Sequence, residues 1–331
     1  MGHLQNTDLF RGFVRKGIWM EAEQLQKAEG LRTFAELRER ARQVGPKRVG
    51  VVLADDEVAL MASADALRIG IAMPVLIGDV ERIRARTEKL GLVELAARAE
   101  FVSATEDAAE IAVKMAREGS IDILLKGHLR TDQLFHPVLD KEKGLRTGRL
   151  LSDMAFFEQR GEGGPRLTGI TDGGLNPAPT LGQKKQIVLN AIEMLHCLGF
   201  KRPKIAVVSA TEMVTEAMAS TTDAKALAEM GAAGEFGEAE VFGPLALDNA
   251  LLEWAAKAKG ISNPVAGHAD CLLVPTVEAG NLLAKSIIFL AGWEFGHAVV
   301  GAKVPILIPS RVESAQDKVN AMALGVLYAS R

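Results

Sequence analysis

Aromatic residues are scarce, at 5% of the chain, and Tyr328 is the single tyrosine. So few rings argue against base-stacking surfaces, and a net charge of -3 argues against general nucleic-acid binding. Only two cysteines occur, Cys197 and Cys271, each inside an apolar run. That rules out a disulfide framework and a zinc pattern, and it predicts buried free thiols in a reducing compartment. No apolar run approaches the roughly 18 residues of a membrane span, and no signal-peptide pattern opens the chain, so a cytoplasmic protein is expected. Also absent are the G-x-x-x-x-G-K-[ST] phosphate loop, the G-x-G-x-x-G fingerprint, the G-x-S-x-G elbow and H-E-x-x-H. The six histidines show no metal-ligand spacing, and His196 reads as core or helix-end packing. ATP, NAD and zinc chemistry thus lose their usual markers.

What is present is an α/β pattern. At 331 residues and 48% hydrophobic, the chain has material for about two domains with sizeable cores. Short apolar runs at 48–54, 74–77, 121–125, 150–157, 167–171, 204–209, 271–275, 298–301 and 304–309 read as strands. Helical stretches at 56–69, 105–117, 180–198, 222–230, 248–259, 278–291 and 313–329 lie between them. This alternation predicts βαβ units and a mainly parallel sheet covered on both faces. The 150–157 and 167–171 runs flank Gly161-Glu162-Gly163-Gly164-Pro165, a turn suited to an antiparallel hairpin and the best domain boundary. Residues 1–30, with Leu9, Phe10, Phe13, Ile18, Trp19 and Met20, read as an extension that packs on the body or on a partner.

Several strand ends carry polar groups. Near the C-terminus an apolar run leads into Ser310-Arg311, with Asp317 following. If Ser310 starts a helix, Asp317 lies about 700° round and nearly on the same face, at a helix N-terminus that attracts oxyanions. Ser310 and Glu313 also match a capping box, which needs no chemistry. Residues 126–149 hold six basic against three acidic residues, with His128 and His136 among them, and such a region can concentrate an anion or simply face water. Lys126-Gly127-His128 follows a strand, and Gly127 there would let backbone approach a ligand. Thr171-Asp172-Gly173-Gly174-Leu175-Asn176-Pro177 offers Asp172 and Asn176 either to a turn or to a ligand. Gly243-Pro244-Leu245 before Asp248-Asn249 has a similar double reading, with helix capping as the plain one. Glu278-Ala279-Gly280-Asn281 is a further polar strand end. Ligands on open α/β sheets bind beyond such ends, which places a site in the cleft between the two domains.

Taken in order, these segments resemble the phosphate acetyltransferase / phosphate butyryltransferase family, from about Leu31 to the C-terminus, nine-tenths of the chain. The resemblance is carried by Leu125-Lys126-Gly127 with Thr131, by Gly144-Leu145-Arg146-Thr147-Gly148, and by Ile170-Thr171-Asp172 with Asn176 and Pro179. It continues through Ser220-Thr221-Thr222, Gly243-Pro244-Leu245 with Asp248, and Val265 to Asp270. Glu278 to Asn281 with Lys285, and Ser310-Arg311 with Asp317, complete it. The Lys-Gly and Leu-Arg-Thr-Gly-Arg stretches look closer to the butyryl branch, which does not fix the acyl preference. His136 precedes Pro137 where acetyl-type members carry arginine, a departure at a CoA contact.

The resemblance implies two α/β/α domains like those of the isocitrate and isopropylmalate dehydrogenases. Residues 31–150 and 298–331 would form the first domain and 151–297 the second. It implies a homodimer acting on acyl-CoA, inorganic phosphate and acyl phosphate with short acyl groups, acetyl or butyryl. No cofactor and no metal are expected, since CoA is a substrate. Neither nucleic acid nor membrane is an expected partner. By the same resemblance Asp317 would take the CoA thiol proton, Arg311 would hold the phosphoryl group, and Ser310 would hydrogen-bond the reacting oxygen. Lys126, Gly127, Thr131, Arg146, Asp172, Asn176, Asn281 and Lys285 are the substrate-binding candidates. A metal- and NAD-dependent dehydrogenase of similar fold would need a cluster of aspartates and histidines that the sequence does not show. A non-catalytic CoA or acyl-phosphate sensor would not need the Asp317 base.

Overall fold

The structure is a computed structural model that describes residues 30–104, 106–160, 164–310 and 312–331. The extension (apart from its last residue), the Gly161-Glu162-Gly163 turn, Thr105 and Arg311 lie outside the described residues. Eleven strands form one hydrogen-bonded sheet. They are β1 (Lys47–Val52), β2 (Ala72–Gly78), β3 (Glu100–Ser103), β4 (Ile123–Lys126), β5 (Ser152–Gln159), β6 (Arg166–Thr171), β7 (Lys204–Val208), β8 (Glu240–Leu245), β9 (Cys271–Leu273), β10 (Phe295–Val300) and β11 (Ile306–Leu307). Their spatial order is β3-β2-β1-β4-β11-β10-β5-β6-β9-β7-β8.

Each flank of the sheet is parallel, as helix-spaced strands require. One flank runs from β3 to β11 and the other from β6 to β8. The join is antiparallel. β10 runs against both β11 and β5, and β5 runs against β6 with Ala155 opposite Ile170. The expected hairpin is therefore present, and it is part of what makes the two flanks one sheet.

Two strands were hidden in the sequence for identifiable reasons. β3 lies at one edge and is only half covered, so it has no continuous apolar run. β8 lies at the other edge and contains Pro244, and edge strands are where proline is tolerated because a ladder donor is not needed. The 248–259 stretch breaks at Leu252 into two short helices, and 278–291 becomes the helix Val277–Lys285 followed by a π-helical turn, Ser286–Ala291. Four helices also did not stand out: Phe34–Val44, Val80–Lys89 and Val93–Arg98 are rich in charge, and Thr131–Val138 is short, contains Pro137 and lies inside the basic segment.

The helix Ala315–Tyr328 is buried from Asp317 to Tyr328, and its second half, apolar on every side from Ala321 onward, has the composition of a core helix. It packs on β10 and on the helices Phe34–Val44 and Glu57–Arg68. Gly296 permits this approach, since a Cβ there would sit 2.8 Å from the Cβ of Asn320. Cys271 is buried and Cys197 half-buried, both as free thiols, and burial pushes Cys197 up to about 11. His196 Nδ1–H donates to Phe200 O at 2.8 Å, which is helix-end packing. No helix among the described residues is long and apolar enough to cross a membrane.

Candidate active site

The antiparallel join carries a cavity of about 490 Å³. Side chains alternate across a strand, so Asp153 and Ala155 of β5 share a face, as do Phe295 and His297 of β10; all four line it. The ends of β4 and β11 supply Lys126 and Ser310 from one flank, and Gly173 and Gly174 after β6 supply the other. Asn281 and Lys285 come from the Val277–Lys285 helix, and Thr131 and Arg130 from the start of Thr131–Val138. The cavity thus lies beyond strand ends of both flanks, where α/β sheets hold ligands. A groove of about 880 Å³ runs instead between the helices Ala108–Arg117 and Thr131–Val138, and takes up His136, Lys141 and Lys143. The basic segment is therefore divided between two places.

Ser310 does not begin a helix. Its N–H donates to Glu313 Oε1 at 3.0 Å, but the N-cap is Ser314, with Asp317 as the reciprocal partner of a capping box. The expected shared helix face of Ser310 and Asp317 is not present. Asp317 Oδ2 accepts from Ser314 N at 3.1 Å and from Ser314 Oγ at 2.7 Å, while Oδ1 accepts from Phe295 N at 3.3 Å. Lys318 pins the turn between them by donating to Ser310 O at 3.4 Å and Glu313 O at 3.1 Å.

Of the other sequence candidates, Lys126, Thr131, Asn281 and Lys285 meet in the cavity, and Gly127, Arg146, Asp172 and Asn176 do not line it. Gly127 is needed for packing rather than for a ligand, because a Cβ there would come 2.3 Å from Leu53 O. Asp172 Oδ1 accepts from Gly174 N at 2.9 Å and Leu175 N at 2.8 Å, and Asn176 donates to Asp172 Oδ2 and to Leu151 O. That is turn chemistry. Burial, and then the nearby Asp153 charge, push the Asp172 carboxyl up to about 6. Arg146 is exposed.

His297 and Asp153 were not foreseen, and Glu313 was read only as a cap. His297 Nδ1 lies 2.8 Å from Asp153 Oδ1, and Nε2 lies 3.7 Å from Glu313 Oε1. The pair His297–Asp153 is a diagonal contact across β10 and β5, within reach of long side chains. Burial opposes a charge on the ring, but Asp153 and Glu313 outweigh it and raise the His297 pKa well above the usual histidine value. Burial likewise opposes ionisation of Glu313, yet His297 wins and holds that carboxyl below its ordinary range. The one sequence signal was a histidine at an alternate position of an apolar strand. Among the described residues, no group of three or more His, Cys, Asp or Glu is arranged to hold a metal ion.

The chain's residues 95–326 match the family model described as Phosphate acetyl/butaryl transferase. It is 37% identical to the phosphate butyryltransferase of Clostridium beijerinckii over 91% of this chain and 99% of that one. It is 39% identical to the phosphate acetyltransferase of Rhizobium meliloti over 83% and 87%. Its fold matches the crystal structure of a branched-chain phosphotransacylase from Enterococcus faecalis with a TM-score of 0.75 at 30% identity, covering 86% of this chain and 99% of that one. With similarity that spans both flanks of the sheet and the cavity at their join, the chain belongs to the phosphate acetyl/butyryl transferase family.

Proposed function

We propose that the chain converts a short-chain acyl-CoA, acetyl or butyryl, and inorganic phosphate reversibly into acyl phosphate and CoA. The observation that carries this reading is the cavity at the join of a family member's two flanks, where Ser310 meets Lys126, Arg130 and Lys285. Three cations in a partly enclosed site attract phosphate and hold it near a hydroxyl that can hydrogen-bond a developing oxyanion. A phosphate oxygen attacks the thioester carbon, the C–S bond breaks, and its electron pair stays on the CoA sulfur.

In the reverse direction Asp317 takes the thiol proton, since a thiol near pKa ~8.5 is mostly protonated at neutral pH. A carboxylate offers about four acceptor positions, and two donors from Ser314 with one from Phe295 N use three of those on Asp317. Arg311 is assigned to the phosphoryl group, Thr131, Asn281 and Lys285 to substrate contact, and the exposed Arg146 to CoA phosphates beyond the cavity. Gly127, Asp172 and Asn176 shape the walls. Residues 31–150 with 298–331, and residues 151–297, are the two proposed domains. The protein works as a cytoplasmic homodimer, which sedimentation of the purified chain would read directly.

Acyl phosphate formation, trapped with hydroxylamine, tests the assignment. Ser310→Ala should lower kcat by roughly 10²–10³-fold and Asp317→Asn by roughly 10²–10⁴-fold, with folded variants in each case. Undiminished turnover in both would return the two residues to purely structural roles.

A further inference from the structure

Two buried polar atoms in the cavity have no hydrogen-bond partner among the described residues: His297 Nε2 and Glu313 Oε2. Their residues are only 8% and 7% exposed, and both line the cavity. Leaving such atoms unpaired is costly, so a ligand that completes them is the economical explanation.

The surroundings specify that ligand. His297 spends Nδ1 on Asp153, which leaves Nε2. Glu313 spends Oε1 on the Ser310 N–H, which leaves Oε2. A protonated ring presents Nε2 as a donor, and an ionised carboxylate can only accept. Lys126, Lys285 and Arg130, the last also bonded to Asp132, line the same cavity and favour an anion there. A ligand that completes both atoms is therefore an anion that accepts at one atom and donates at another. Hydrogenphosphate does both. Sulfate has the same shape and the same charge, but at neutral pH it has no hydrogen to give.

We propose that His297 and Glu313 together read phosphate: His297 Nε2–H donates to one phosphate oxygen while Glu313 Oε2 accepts from the phosphate hydroxyl. Another phosphate oxygen is thereby left free to attack the acyl carbon. Sulfate is rejected because one of its oxygens would face the Glu313 carboxylate with no hydrogen between them. The inference rests on the phosphate acyltransferase reading and adds to it the residues that set specificity for the attacking anion.

The test uses the full chain, with phosphate varied against sulfate as competitor at constant ionic strength. In the wild type the sulfate inhibition constant should exceed the phosphate KM by roughly tenfold or more. Glu313→Gln places an amide N–H where a carboxylate stood, and should close most of that gap without moving the acyl-CoA KM. His297→Asn retains a donor toward Asp153 and deletes Nε2, so it should raise the phosphate KM alone. Sulfate competing as well as phosphate in the wild type would overturn the proposal, as would an unchanged sulfate-to-phosphate ratio in Glu313→Gln. Calorimetric titration of the wild type with phosphate and then with sulfate needs neither turnover nor a variant. Preferential phosphate binding there supports the pair even if no acyl-CoA is consumed, and equal binding refutes it even if acyl phosphate is made.

Discussion

Asp172 and Asp153 are two acids set close together, and one of them yields. Burial and the Asp153 charge push Asp172 up to about 6, although Gly174, Leu175 and Asn176 all hydrogen-bond its ionised form. Its folded pKa is raised above its unfolded value near 3.8, so the folded state binds the proton more tightly. This carboxyl therefore costs nothing at pH 3–4, and its penalty grows as pH rises toward about 6 and stays in place above it. Relative to Asp172→Asn, the wild type should lose up to about 3 kcal/mol between pH 4 and pH 7, measured by denaturant titration at each pH. A pH-independent difference would mean that Asp172 titrates normally. At this scale the sequence was informative at some polar strand ends, where Lys126, Asn281, Lys285 and Ser310 line the cavity, and not at the end of β6, where Asp172 and Asn176 hold a turn. It was silent on His297 and Asp153, because their contact joins residues 144 apart through a strand register that only the folded sheet defines.

At the scale of elements, the junction after β11 contains two consecutive capping patterns, Ser310 with Glu313 and Ser314 with Asp317. Both fit the same rule of Ser followed three residues later by an acid, so pattern alone could not choose the helix start. The structure forms one bond of the first box and both halves of the second. The consequence is that Ser314 fixes the helix end and also orients Asp317. Ser314→Ala should cost about 1 kcal/mol of stability and should lower the rate of acyl transfer more than that loss explains, because Asp317 loses the Ser314 Oγ–H, one of its three donors, while the two backbone N–H donors remain. Thermal melting alongside steady-state kinetics separates the two effects. A stability loss with full activity would show that the cap does not govern the site. The strand-helix alternation of both flanks was legible from apolar runs. Edge strands β3 and β8 were not, since one is half exposed and the other carries Pro244.

At the scale of the whole molecule, the decisive feature is the antiparallel pair β5–β10 between two parallel flanks. It contributes Asp153, Ala155, Phe295 and His297 to the cavity, where Glu313, from the segment after β11, completes an Asp–His–Glu row. The hairpin was visible in the sequence as two apolar runs around a glycine-rich turn. That the final strands return to the first flank was implied by the family resemblance, because no periodicity specifies which edge a strand joins. The pairing of β11 with β4 provides that return. The most direct measurement is CoA release from acetyl-CoA and from butyryl-CoA by the full chain, each with and without phosphate. The account predicts release that requires phosphate, saturates with it, and yields one acyl phosphate per CoA. Release at the same rate without phosphate, or none with either ester, would contradict it.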